Sequence, residues 1–165
     1  MANPNSLKDL FIDNLRRAYE TEKQLVKALP KLHEAAGFEE LRYALQTHLE
    51  QTELQVDRLE QVFEWLDEKP NGKKCQSIKG ILDDGKYVLN LEDDADVKDA
   101  AIIAAAQETE HFEIALYGTL RTWAGVLGNE QAMEALELTL EEEKTADSLL
   151  SGIAATMNNR AAHAE

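Results

Sequence analysis

Phe11, Leu15, Ala18, Glu22, Leu25, Leu29 and Leu32 follow one another at alternating steps of four and three. That rhythm puts all of them on one face of an α-helix and demands other helices to bury it against. The residue at the centre of the stripe, however, is a glutamate. An ionised carboxylate is costly to bury unless it is paired or coordinates a metal. The same conflict recurs in "AAAQETEHFEIALYGTL", where an alanine-rich packing surface takes in Glu108, Glu110, His111 and Glu113. Either these helices turn their acids to water or they turn them toward something positive.

The remaining segments read as helices too. Ala, Leu, Glu, Lys and Gln dominate, prolines are few, and no segment shows sustained period-2 alternation, so an all-α chain is expected. "SLKD" caps the first helix near Ser6, Pro30 should kink its last turns or detach them, and Gly37 stops it. A second helix spans about 39–67, with Leu41, Leu45, Leu49, Val56, Leu59 and Phe63 on one face, until "KPNGKK" breaks it. A third runs from about Val97 to Val126 behind the acidic "LEDDADVKD", and a fourth from Glu130 to Met157, after which "NNRAAHAE" looks frayed.

Connection lengths give the topology. Helices one and two, and three and four, are joined by a few residues, so each pair is an antiparallel hairpin. About thirty residues lie between helices two and three, far more than a direct antiparallel neighbour needs. Within them "QSIKGILDDGKYVLN" can form a short helix that packs through Ile78, Ile81, Leu82, Tyr87 and Val88. A crossover running the length of the bundle makes helices two and three parallel, the ferritin-like arrangement. One four-helix domain over residues 1–165 is the expectation, and 165 residues suffice for a real core.

Acids fall near the middle of every long helix. Beside Glu22 stand Glu50 and Glu53 on the second helix, Glu110 and Glu113 on the third, and Glu143 and Asp147 on the fourth. Spacings of three or four put each pair on one helical face, about 5–6 Å apart. The third helix reads Ala106, Glu110, Glu113, Tyr117, Leu120, Ala124, and the fourth Met133, Leu136, Leu140, Glu143, Asp147, Leu150. Carboxylates from four helices converging on one layer are the layout of a dinuclear metal site, because two divalent cations would neutralise their repulsion. Each acid alone has a plainer reading, since charged residues are mostly at the surface. Glu22, for instance, is exposed if its helix rotates by one position, or pairs with Arg16 or Arg121. Their coincidence on four helices favours the metal layer.

The other chemistry-bearing residues say less. Neither acid pair on the middle helices is Glu-x-x-His; a supporting role suits His111 better than ligation, and His48 is unplaced. His33 and His163 carry no signal, and Cys75 reads as a small packing residue. Glu141 and Glu142 read as solvated, and Tyr19 and Tyr117 as core residues with satisfied hydroxyls. A net charge of -15 makes nucleic acid and anionic membrane poor partners. A single cysteine, no apolar leader and no run of transmembrane length suggest a cytoplasmic protein.

The segments "ETEKQLVKALPKL", "THLEQTELQVDRLEQVFE", "DAAIIAAAQETEHFEIALYGTLRTWAGVLG" and "LTLEEEKTADSLL" resemble the YciF family of bacterial ferritin-like proteins associated with stress responses. The resemblance covers nearly the whole chain, and "EHFEIALYGTL" is its most specific part. It implies a four-helix bundle with a di-metal site, a cytoplasmic location and a homodimer. By motif it carries Glu22, Glu50, Glu53, Glu110, Glu113, Glu143 and Asp147 over as metal residues. In rubrerythrin-like relatives the second helix supplies Glu-x-x-His; here Glu53 takes the histidine's place, and Ala146 stands three after Glu143. So oxygen-rich a site suits iron or manganese as well as magnesium. The expected function is binding of two divalent ions, iron and/or manganese, with ferroxidase or peroxide-reducing activity. The competing reading is a non-enzymatic helical dimer whose metal serves stability and which acts as an interaction protein.

Overall fold

In a computed structural model, which describes residues 4–91 and 94–163, the chain folds into five α-helices. α1 spans Leu7–Ala35, α2 Glu39–Trp65, α3 Gln76–Gly85, α4 Ala95–Val126 and α5 Glu130–Ala161, with a short 3₁₀ segment, Lys86–Asn90, after α3. Among the described residues there is no strand, and no helix is long and apolar enough to cross a membrane. Glu92 and Asp93, part of the acidic run expected before the third long helix, lie outside the described residues.

Capping fixes the helix starts. The Ser6 hydroxyl accepts from the Asp9 amide at 3.0 Å, and Asp94 accepts from the amides of Asp96 and Val97. The α4–α5 turn needs a left-handed residue, and Gly128 supplies it at φ 74° while the Asn129 amide reaches back to the Ala124 carbonyl at 2.9 Å. At the helix ends one expectation is narrowed and one is corrected. α1 runs on through Pro30 to Ala35, so of the two outcomes expected at Pro30 the detached turn does not form. α5 continues to Ala161, past the expected fraying at Met157, because Arg160 pairs with Asp96 at 2.6 Å and lies over the Phe38 ring.

Two apolar clusters reveal the helix directions. One gathers the start of α1 (Phe11, Leu15), the end of α2 (Leu59, Phe63), the end of α4 (Leu120, Ala124) and the start of α5 (Ala132, Leu136). The other gathers the opposite ends, including Leu29, Leu41, Ile102 and Ile153. α2 and α4 are therefore parallel, and the segment between them travels the bundle's full length. Cys75, Ile78 and Val88 anchor that crossover in the second cluster. α1 packs on α2 and α4, and α5 on α2 and α4, which makes every neighbouring pair antiparallel. A buried aspartate joins the first hairpin to α4: Asp99 accepts the Gly37 and Phe38 amides at 2.8 and 2.7 Å. Between the two apolar clusters lies a buried polar layer.

Candidate metal centre

Every long helix contributes to that layer. α1 gives Glu22, α2 gives His48, Thr52 and Gln55, α4 gives Glu110, Glu113 and Tyr117, and α5 gives Glu143, all buried. On α1 and α4 the stripes fall as their spacing requires, since a helix that buries leucines at steps of four and three must also bury the residue between them. Ligand atoms of His48, Glu110, Glu113 and Glu143 all lie within 4.8 Å of one another. Glu22 stands beside Glu113 and feels the charge of Glu143. Its Oε1 accepts a hydrogen bond from the Tyr117 hydroxyl.

The expected ligand set is corrected on α2. Glu50 and Glu53 point to solvent, and Glu50 accepts from Gln46 at 2.9 Å. The helix is turned from the expected face by burial of a different stripe: Leu41, Leu45, His48, Thr52, Gln55, Leu59, Val62. That stripe also steps by four and three without a break, so the signal for His48 was present in the sequence. Leu49 and Val56 are only half-buried at its flank. Asp147 is at the edge of the layer, half-buried, holding the exposed His111 at 3.3 Å and Gln107 at 3.1 Å. Neither Arg16 nor Arg121 reaches Glu22; they pair with Glu68 and Glu137.

Glu142 is not simply solvated. Arg58 forks onto it with bonds of 2.7 and 2.9 Å and also donates to Thr139 at 2.6 Å. Gln55 donates to both Glu142 and Glu143, so these contacts tie α2 to α5 on one side of the layer. Tyr19, expected in the core with a satisfied hydroxyl, donates to Glu60 at 2.6 Å and sets its ring edge against Phe63.

The layer has too few donors for its acceptors. Five carboxylate oxygens are buried without a hydrogen bond: Glu22 Oε2, Glu110 Oε2, both of Glu113, and Glu143 Oε2. His48 Nε2 lies 3.3 Å from Glu110 and 3.8 Å from Glu143, yet neither ring nitrogen makes a well-aligned bond. Burial and the charge of Glu143 push the Glu22 carboxyl up to about 8, against the hydrogen bond from Tyr117. Burial, then neighbouring carboxylates, raises Glu110 and Glu113 well above the usual range. Burial also lowers His48, which favours the neutral, metal-ready imidazole. Clustered acceptors without donors, beside a neutral imidazole, fit a bound cation. Glu22, His48, Glu110, Glu113 and Glu143 are the residues that could hold one.

A narrow cleft of about 60 Å³ reaches this layer between α2 and α5, past the exposed Thr145 and Leu149 to His48 and Glu110. It has room for a few water molecules.

A bundle with one full-length crossover and a carboxylate-lined central layer is ferritin-like. The profile of the family described as a domain of unknown function (DUF892) matches residues 6–163, and the chain belongs to that family, which includes YciF. It is 42% identical to protein YciF of Escherichia coli K12 over 161 residues, 97% of each sequence. The crystal structure described as that of the E. coli stress protein YciF superposes with a TM-score of 0.91 at 41% identity, covering 94% of this chain and 99% of that one. YcfI from Rhodopseudomonas palustris, described as a candidate structural protein, gives 0.86 at 42% identity over 89% of this chain and 94% of that one. A protein of Xanthomonas campestris shares the fold at 0.71 and 19% identity, over 93% and 97% of the two chains.

Proposed function

We propose that the central layer is a resident site for divalent transition metals, a pair of iron or manganese ions, in a bacterial stress protein of the YciF kind. The unbonded carboxylate oxygens gathered around His48 carry this reading. Four carboxylates and one imidazole form a hard, mostly oxygen donor set with a single nitrogen, which suits manganese and iron. Glu22, His48, Glu110, Glu113 and Glu143 would hold the ions. Such ions supply one-electron chemistry toward dioxygen or peroxide, which makes Fe²⁺ oxidation or peroxide reduction the activity to test.

The protein's own contribution is positioning and exclusion of water. Tyr117 fixes one oxygen of Glu22, and Gln55 does the same for Glu143, leaving their other oxygens free for an ion. Apolar clusters above and below keep bulk water out, and the α2–α5 cleft leaves a passage only for small molecules.

A structural role is the second reading. Enclosure of the layer favours it, as does the description of the R. palustris relative. Metal would then replace charge repulsion with cross-links between the helices. Self-association fits either reading. Tyr43 and Leu54 on α2, and Leu138 and Leu149 on α5, are large apolar side chains left exposed, and a homodimer in the cytoplasm would cover them.

Elemental analysis of protein purified without added metal, alongside Glu113→Gln, tests the site. About two ions per chain, lost in the variant, is the expected result, and equal metal in both contradicts it. Loading with Fe²⁺ without air and then admitting oxygen separates the two roles. Oxygen uptake with an optical transient supports redox activity, whereas a raised melting temperature with no uptake supports the structural role.

A further inference from the structure

A second cavity lies on the other side of the bundle, where the crossover spans the gap between α1 and α4. Its volume is about 900 Å³, within the range of small-molecule sites. None of the residues of the metal layer lines it. Its floor is apolar: Ala28 and Leu32 of α1, Leu82 and Leu89 of the crossover, and Ala105 of α4 are half-buried and still meet solvent.

The rim is basic in a chain whose net charge is -15. Lys27 and Lys31 line it from α1, Lys74 from the connector, and Lys79 and Lys86 from the crossover. Lys79 and Lys86 share Asp83, whereas Lys27, Lys31 and Lys74 have no carboxylate partner among the described residues. The other acid at the rim, Glu20, is engaged by Gln24 at 3.0 Å. These three lysines are exposed, and ammonium groups without carboxylate partners over an apolar floor suit an anion with a hydrocarbon part.

We propose that this groove binds an amphipathic organic anion, with one carboxylate, sulfate or phosphate head and a medium-length hydrocarbon tail. The tail would lie along Leu32, Leu82, Leu89 and Ala105. The head would sit among Lys27, Lys31 and Lys74, whose flexible stems adapt to different head groups. A nucleic acid fits poorly, because a polyanion extending beyond the groove would meet a chain of net charge -15 and no aromatic side chain lines the groove for stacking. A ligand with a single head meets only the lysines.

Isothermal titration calorimetry with sodium decanoate, kept below its micelle concentration, tests the proposal on the full chain. One saturable site per chain is expected. Decyl sulfate should bind comparably, and butyrate and decyltrimethylammonium at least about tenfold more weakly, because each lacks half of the recognition. Lys27→Glu with Lys31→Glu should weaken decanoate about tenfold or more, whereas Lys8→Glu, outside the groove, should not. On the unsubstituted protein, decanoate should shift the amide NMR signals of Leu82, Ala105 and Thr109. The proposal is overturned by absence of saturable binding, by equal binding of the cationic amphiphile, or by shifts elsewhere than the groove. It is equally overturned if the double variant only changes the oligomeric state while decanoate fails to bind, the result expected if a second copy of the chain fills the groove.

Discussion

Of the acids in the proposed metal layer, Glu113 has the most to gain from a cation. Both of its oxygens are buried without a donor, with Glu22, Glu110 and Glu143 around it. Glu113→Gln replaces a carboxyl that burial and neighbouring acids force to keep its proton in the metal-free fold, so at neutral pH it should raise the melting temperature of the metal-free protein, by about 2–4 °C for each kcal/mol relieved, while abolishing the rise expected from metal in the parent. Calorimetry with and without Mn²⁺ reads both effects, and a variant destabilised in the absence of metal but still stabilised by Mn²⁺ contradicts the account. Tyr117→Phe frees Glu22 without touching a ligand and should weaken Mn²⁺ binding about 10–100-fold in a competitive chelator titration. The solvent-facing acids of α2 give the opposite expectation: Glu50→Gln with Glu53→Gln should leave metal content unchanged.

Helices determine which side chains meet, and they differ in how clearly their faces could be read. On α1 and α4 one stripe alone is continuous, so Glu22, Glu110 and Glu113 were legible as inward acids. α2 offers two competing faces. One carries Leu49 and Val56 and draws Glu53 to the core edge; the other carries His48, Thr52 and Gln55, and is less apolar at its centre. Apolarity favoured the first, but the partners' polar layer selects the second, and no feature internal to α2 reports what its partners bring. The late end of α5 was hidden for the same reason, since Arg160 is held by Asp96 and Phe38, remote in sequence. Long-range ties of this kind hold the elements together. Asp99→Ala should strand the Gly37 and Phe38 amides and cost about 1–3 kcal/mol in urea denaturation, with Asp99→Asn in between. No loss with Ala would show that water or a neighbour satisfies those amides.

For the whole molecule, the bundle and its crossover followed from helix lengths and one long connection, because a chain that must return along the bundle needs that many residues. If the central layer binds metal as proposed, stability should depend on pH and metal together. In the metal-free protein Glu22 keeps its proton up to about 8, whereas in the unfolded chain it loses it near the ordinary value of 4.5. The folded state therefore holds more protons across that window, and stability should fall as pH rises through it. Bound metal should flatten or reverse the trend, because it favours the deprotonated carboxylates. Melting curves between pH 5 and about 9, with chelator or with Mn²⁺, should diverge most at the alkaline end; parallel curves would contradict the coupling. The most direct test is anomalous diffraction at the manganese edge from crystals grown with Mn²⁺. Anomalous peaks are expected within the layer formed by Glu22, His48, Glu110, Glu113 and Glu143. Peaks confined to surface acids such as Glu50 and Glu53, with none in the layer, would contradict the proposed site.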